Sequence, residues 1–257
     1  MSENLIFDTV APAIGRLTLS QPKKRNALNA AMWAALPAAI DAAVATGIKC
    51  LIVRGDGDHF ASGADISEFG TLYATEDSSA KISTDIAAAM DALAKCPVPT
   101  LALIRGACVG GGCGLALCCD IRFADNTAKF AITPAKLGLV YPYADVQRLI
   151  ETVGMSHAKD ILFSARLIKA KQARKMGLVN HLCKVDSLES NVSDYAKGLA
   201  ALSAQSLKIT KQMFASYSAG QRGDDAKSAA DFLAGFSSDD FKEGYSAFME
   251  KRKPDFG

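Results

Sequence analysis

With 257 residues, 49% of them apolar, the chain can bury a sizeable core as one large domain and is too long for a disulfide-stapled mini-protein. Its 29 Lys+Arg against 27 Asp+Glu leave no field of one sign, so neither nucleic acid nor an anionic membrane surface is expected as a partner, and a small molecule is the default. Seven cysteines without a C-x-x-C pair suit a reducing compartment, and residues 1–5 carry neither a basic nor an apolar leader segment, so a cytoplasmic location is expected.

In chain order, residues 5–10 and 14–19 read as two short strands around Pro12-Ala13, a hairpin-like start. Residues 21–26 form a loop with the cations Lys23, Lys24 and Arg25, which are either solvated or placed to meet phosphate. An Ala-rich helix over 30–45 and a buried strand over 50–55 follow. The small residues 61–64 then expose backbone, and Asp65-Ile66-Ser67-Glu68 opens a helix with acids in its first turn. Glu68 reads as an ordinary dipole partner there.

Ile82, Ile86, Met90 and Leu93 fall at helical spacing, and Pro97 and Pro99 stop that helix before a buried strand over 100–104. Next comes an apolar run broken by Gly110, Gly111, Gly112 and Gly114, a strand-to-helix turn. Such a turn offers main-chain N–H groups, close approach and the positive end of a helix to an anion, or else it packs tightly with no ligand. It fits neither a dinucleotide fingerprint nor a P-loop. Cys108, Cys113 and Cys118, spaced by five, scatter around a helix axis and read as small core residues, so no metal site is expected.

Residues 121–124 and 129–132 read as short strands, and from 145 onward the pattern turns helical: 145–153, 156–163, 169–175, 188–202, 206–219, 224–234 and 239–249. A β-and-α core over 1–185 and a helical region over 186–257 are expected, the second covering a site or forming an interface. His59, His157 and His181 have no partner pattern for a triad or metal and read as structural or surface residues.

The motifs Arg25-Asn26-Ala27-Leu28-Asn29, Phe60 to Ile66, Gly110 to Asp120, Thr133 to Gly138, Gln147-Arg148-Leu149, Ala173 to Val179 and Asp239 to Gly244 are together similar to the crotonase (enoyl-CoA hydratase/isomerase) superfamily over nearly the full chain. The resemblance implies an α/β fold, a crotonase-like spiral of β-β-α turns with a C-terminal helical trimerisation region, assembled as a homotrimer or a hexamer. It implies an acyl-CoA substrate, with coenzyme A arriving as part of that substrate and no covalently bound cofactor. The thioester oxygen would sit between the N–H groups of Ala64 and Gly111. Lys23, Lys24, Arg25, Ala27 and Leu28 would line the nucleotide end of coenzyme A, and Phe232 and Lys251 would reach the coenzyme A of a neighbouring subunit. For these last two, a core aromatic and a solvated lysine are the alternatives.

The chain departs from the hydratase pattern where chemistry is decided. Positions that carry glutamates in hydratases hold Gly114 and Ala135, neither of which can move a proton. Thr133 and Tyr141 fall where the superfamily's methylmalonyl-CoA decarboxylases carry a threonine and a tyrosine. Those enzymes, however, have a histidine at the position of Ala64 and a glutamate at that of Gly114. Asp145 is either a displaced acid/base or the N-cap of the helix that follows. The reaction expected is therefore an enolate-stabilising one other than hydration, such as decarboxylation of a malonyl-type thioester. A non-catalytic acyl-CoA-binding homologue and a scaffold without a coenzyme A site are the alternatives.

Overall fold

The computed structural model describes residues 3–257; Met1 and Ser2, which open the stretch read above for a leader, lie outside the described residues. Strands β1 (Leu5–Ala11) and β2 (Ile14–Leu19) form the expected antiparallel hairpin. Helix α1 (Ala30–Ala45) leads to β3 (Cys50–Gly55), then to a short α2 (Phe69–Leu72) and to α3 (Glu76–Ala94), and β4 (Thr100–Ile104) follows. Beyond it come β5 (Ala107–Val109), α4 (Gly111–Cys118), β6 (Ile121–Asp125), β7 (Lys129–Ala131), α5 (Tyr143–Ser164), β8 (Ile168–Lys169), α6 (Ala170–Lys175) and β9 (His181–Cys183). Helices α7 (Leu188–Ala200), α8 (Ala204–Ser218), α9 (Ala226–Gly235) and α10 (Asp239–Glu250) complete the chain.

Two sheets result, one ordered β1-β2-β3-β4-β6-β9 and a smaller one ordered β5-β7-β8. From β2 onward the large sheet is parallel, and its strands are apolar on both faces because both are covered. In β3, Leu51 and Val53 enter the core shared with α1, α3 and α4, while Cys50 and Ile52 enter a second core with Leu188, Val192 and Ala196 of α7. Helix α7 thus packs on the sheet. Beyond Ala200, only Ala247 is buried.

Most expected elements form within a few residues of their expected ends. A single break, Gly154 with φ 76° and ψ 161°, separates the two helices expected around 145–163. The glycine turn differs: it follows β5 in the small sheet, not β4, because the chain turns a corner at Arg105-Gly106 and adds three residues of strand. All seven cysteines are buried free thiols, as core residues should be. Among the described residues, no helix is long and apolar enough to cross a membrane.

Candidate active site

The site is built where two turns meet. Gly110 precedes α4 with φ 54° and ψ −125°, a conformation open to glycine, and so aims the first N–H groups of that helix outward. Opposite it, residues 63–65 run alongside Leu28, whose N–H donates to the Gly63 carbonyl at 2.7 Å and whose carbonyl accepts from the Asp65 N–H at 2.8 Å. This pairing fixes the peptides on either side of Ala64 and leaves its own N–H unpaired. Among the described residues, the N–H groups of Ala64 and Gly111 donate to no protein acceptor.

The two donors are neighbours. A Cβ built on Gly111 would lie 3.8 Å from the Ala64 nitrogen and 3.1 Å from Trp33 Cζ2, so a methyl group there would push against an indole ring buried to 1% exposure. Adjacent, unpaired main-chain donors at a helix N-terminus can stabilise an oxygen that gains negative charge. They open on a cavity of about 460 Å³ walled by α3, α4 and the segment from Thr133 to Arg148, with Ile86, Met90 and Val140 among its apolar lining.

Polar groups in that wall come from few positions. Thr133 and Tyr141 line the cavity, as does Asp145. Position 114 offers no acid, and its space is filled: a Cβ there would meet Met90 Cε at 3.0 Å and the Tyr141 hydroxyl at 3.1 Å. That hydroxyl is buried without a hydrogen-bond partner among the described residues, and burial, with the nearby Cys113 and Asp145, pushes its ionisation well above the ordinary tyrosine range. Ala135 lies exposed on the 3₁₀ turn Pro134–Leu137.

Asp145 is 5% exposed and is not an N-cap: Pro142 holds that position, and the Asp145 carboxylate instead accepts from Arg148 Nη1 at 2.8 Å. Burial raises its pKa against the opposing pull of Arg148, and Asp91 raises it further. Glu68 also differs from a simple first-turn acid, since its carboxylate accepts the Ala30 N–H at 2.8 Å and so neutralises the start of α1.

Residues 9–257 match the sequence model of the family described as enoyl-CoA hydratase/isomerase. The chain belongs to this family. A crotonyl-CoA hydratase of Syntrophomonas wolfei is 32% identical over 261 residues, covering 99% of this chain and 98% of the relative. An enoyl-CoA hydratase/isomerase family protein from Hyphomonas neptunium superposes with a TM-score of 0.96 at 41% identity, over 100% of this chain and 98% of that one. An enoyl-CoA hydratase/carnithine racemase from Magnetospirillum magneticum gives 0.95 at 32% identity, over 100% and 96% of the two chains. The α/β fold expected from the motifs is the fold of the family, and the family acts on acyl-CoA thioesters.

The remaining expected residues of this enoyl-CoA hydratase/isomerase family member are spread around the molecule. Lys24 turns inward, its Nζ 2.6 Å from Asp65 Oδ2 and 2.9 Å from Ser67 Oγ, so it braces the Ala64 turn. Lys23 is exposed, and Arg25 lines a separate cavity with His59 and Arg105. Ala27 and Leu28 are buried at 6% and 1% exposure. Phe232 is 65% exposed, which removes the reading as a core aromatic, and Lys251 is an exposed residue capping α10 in the left-handed region. His59 is structural, its Nδ1 accepting the Ala107 N–H at 3.1 Å, and His181 stacks on Phe123. Sequence reasoning missed Trp33, Asp91 and Arg148 as cavity residues; the available signals were the Gln147-Arg148-Leu149 motif and the one-turn spacing of Asp91 from the cavity residue Ala87.

Proposed function

We propose that this chain is an acyl-CoA enzyme that stabilises a thioester enolate between the N–H groups of Ala64 and Gly111, and that it does so without the paired carboxylates of a hydratase. The observation that carries this reading is two adjacent unpaired main-chain donors on a mostly apolar cavity, next to a position 114 whose side-chain space Tyr141 and Met90 fill. When a group leaves the α-carbon, its electron pair moves toward the carbonyl oxygen, and each donor there lowers the barrier by about 3 kcal/mol. Tyr141, neutral at every working pH, supplies a hydrogen-bond donor, as does the Thr133 hydroxyl.

Within this reading, Asp145 is the group that takes and returns the α-proton. Decarboxylation of a malonyl-type thioester is the second reading, favoured by the hydroxyls of Thr133 and Tyr141 and by a reaction that needs no base. Against it, Arg148 is the one cation among the described residues lining the cavity, and two aspartates already hold it, leaving no charge for a substrate carboxylate. Coenzyme A would lie along the Lys23–Arg25 loop, Ala27 and Leu28, with Phe232 and Lys251 of an adjacent copy in a homotrimer or hexamer.

Butyryl-CoA in D₂O, crotonyl-CoA and methylmalonyl-CoA, supplied in parallel, separate the possibilities. Exchange of the butyryl α-protons, lost in Asp145→Asn, is the expected result. Release of CO₂ from methylmalonyl-CoA without exchange would select decarboxylation, and tight coenzyme A binding without turnover would select the non-catalytic homologue. Rapid hydration of crotonyl-CoA surviving both Asp145→Ala and Tyr141→Phe would overturn the reading.

A further inference from the structure

Arg148 sits between two carboxylates from different walls of the cavity. Its Nη1 donates to Asp145 Oδ1 at 2.8 Å on its own helix, and its Nη2 to Asp91 Oδ1 at 2.5 Å on α3. Asp91 is anchored on its outer side by Lys95 at 2.9 Å. The guanidinium fork is planar, so holding Asp91 with one arm fixes the direction of the other. Asp145 therefore cannot swing freely in the cavity, and its second oxygen has no hydrogen-bond partner among the described residues.

From this we infer that Arg148 is a positioning residue: pinned to α3 through Asp91, it holds the Asp145 carboxylate in one orientation at the cavity wall and keeps it ionised enough to act as a base. The inference rests on the enolate reading above. In the step it serves, the α-C–H bond breaks and its proton goes to Asp145. The electron pair enters the bond between the α-carbon and the thioester carbon, and charge reaches the oxygen held by Ala64 and Gly111. Return of the proton reverses each change. The groups facing Asp145 are Arg148 from α5, Asp91 from α3, Cys118 from α4 and Tyr141 from the preceding loop. Arg148 is the cation among them, so its loss must move the carboxylate toward the neutral form.

The test has two readouts. One is titration of Asp145 by carbon-detected NMR in protein labelled at the aspartate carboxyls, assigned by the signal missing in Asp145→Asn. The other is the pH profile of α-proton exchange from butyryl-CoA in D₂O. Arg148→Met should raise the Asp145 titration by about 1–3 pH units, with roughly a tenfold loss of ionised base per unit below that pKa, and the exchange profile should move with it. Arg148→Lys keeps the charge but not the fork; it should titrate near wild type yet lower kcat more than it changes KM. Asp91→Asn removes a like charge and should lower the titration while also reducing kcat, because the fork loses its anchor.

An unmoved titration in Arg148→Met, or wild-type kcat in Arg148→Lys and Asp91→Asn together, would overturn the inference. Should Arg148→Met fail to fold, the other two variants carry the test. If wild type exchanges no α-proton, the reading of Asp145 as the α-proton base falls, while the titrations still decide whether Arg148 governs Asp145.

Discussion

At position 114 a glycine and a tyrosine form one unit. The Tyr141 hydroxyl lies 3.1 Å from where a Cβ of residue 114 would sit, buried and without a hydrogen-bond partner among the described residues. Such a hydroxyl costs about 1–3 kcal/mol in the ligand-free protein, a cost that core packing alone would not retain. Tyr141→Phe should therefore raise the melting temperature by a few degrees, since roughly 1 kcal/mol moves a domain of this size by about 2–4 °C. The same variant should lower turnover of whichever thioester the wild type accepts. Differential scanning fluorimetry beside the thioester assay checks both, and a Phe variant that is less stable and fully active would remove the hydroxyl from the chemistry. The members of this pair were legible in the chain one at a time, because Gly114 and Tyr141 are each visible without coordinates. That the phenol packs against position 114 was not legible, because 27 positions separate the two residues and only the fold joins them.

At the level of elements, the Ala64 turn is held by a strand-like pairing with Leu28 and by an ion pair beneath it. Asp65 caps the 3₁₀ turn Ile66–Glu68 through the Ser67 N–H and takes the Lys24 ammonium on its other oxygen. Burial works against its ionised form, but Lys24 and Ser67 outweigh it and hold the Asp65 pKa below the ordinary value. A carboxylate with a depressed folded pKa contributes stability above its unfolded pKa, near 4, and loses it as pH falls through the folded value. Lys24→Met should thus lower the urea midpoint at pH 7, by an amount equal to about 1 kcal/mol once the lysine's half-exposure is allowed for, and the two proteins should converge near pH 2. A lysine reserved for a ligand phosphate would leave the midpoint unchanged at every pH. Long elements were legible, α1 from its run of alanines and α3 from its apolar spacing. The strands β5 and β9 were not: β5 lies inside one continuous apolar, glycine-broken run, and three residues of β9 show no period of their own.

On the scale of the whole molecule, the C-terminal helices are unfinished in a single chain. From Ala201 to the C-terminus only Ala247 is buried, while Phe214, Leu233, Phe236 and Phe248 are 56–81% exposed. Helices α9 and α10 are each amphipathic, with edge-to-face ring contacts running from Phe232 through Phe236 to Phe241, yet among the described residues nothing buries Phe232, Phe236 or Phe241. Contiguous apolar surface of this extent is costly in water and marks a protein interface. A second copy of the chain is the partner that the family resemblance implies, and it would bring Phe232 and Lys251 towards a neighbouring site. Light scattering after size exclusion should give a mass that is a multiple of the 27.1 kDa chain. Leu233→Glu combined with Phe248→Glu should reduce it to one chain, with a lower melting temperature because the apolar helices lose their cover. Since the donors at Ala64 and Gly111 belong to the sheet-packed core, the dissociated variant should keep their geometry. Any loss of coenzyme A affinity in it would then measure what the neighbouring copy contributes, whereas a wild-type protein running as a single chain would leave those helices without their expected partner.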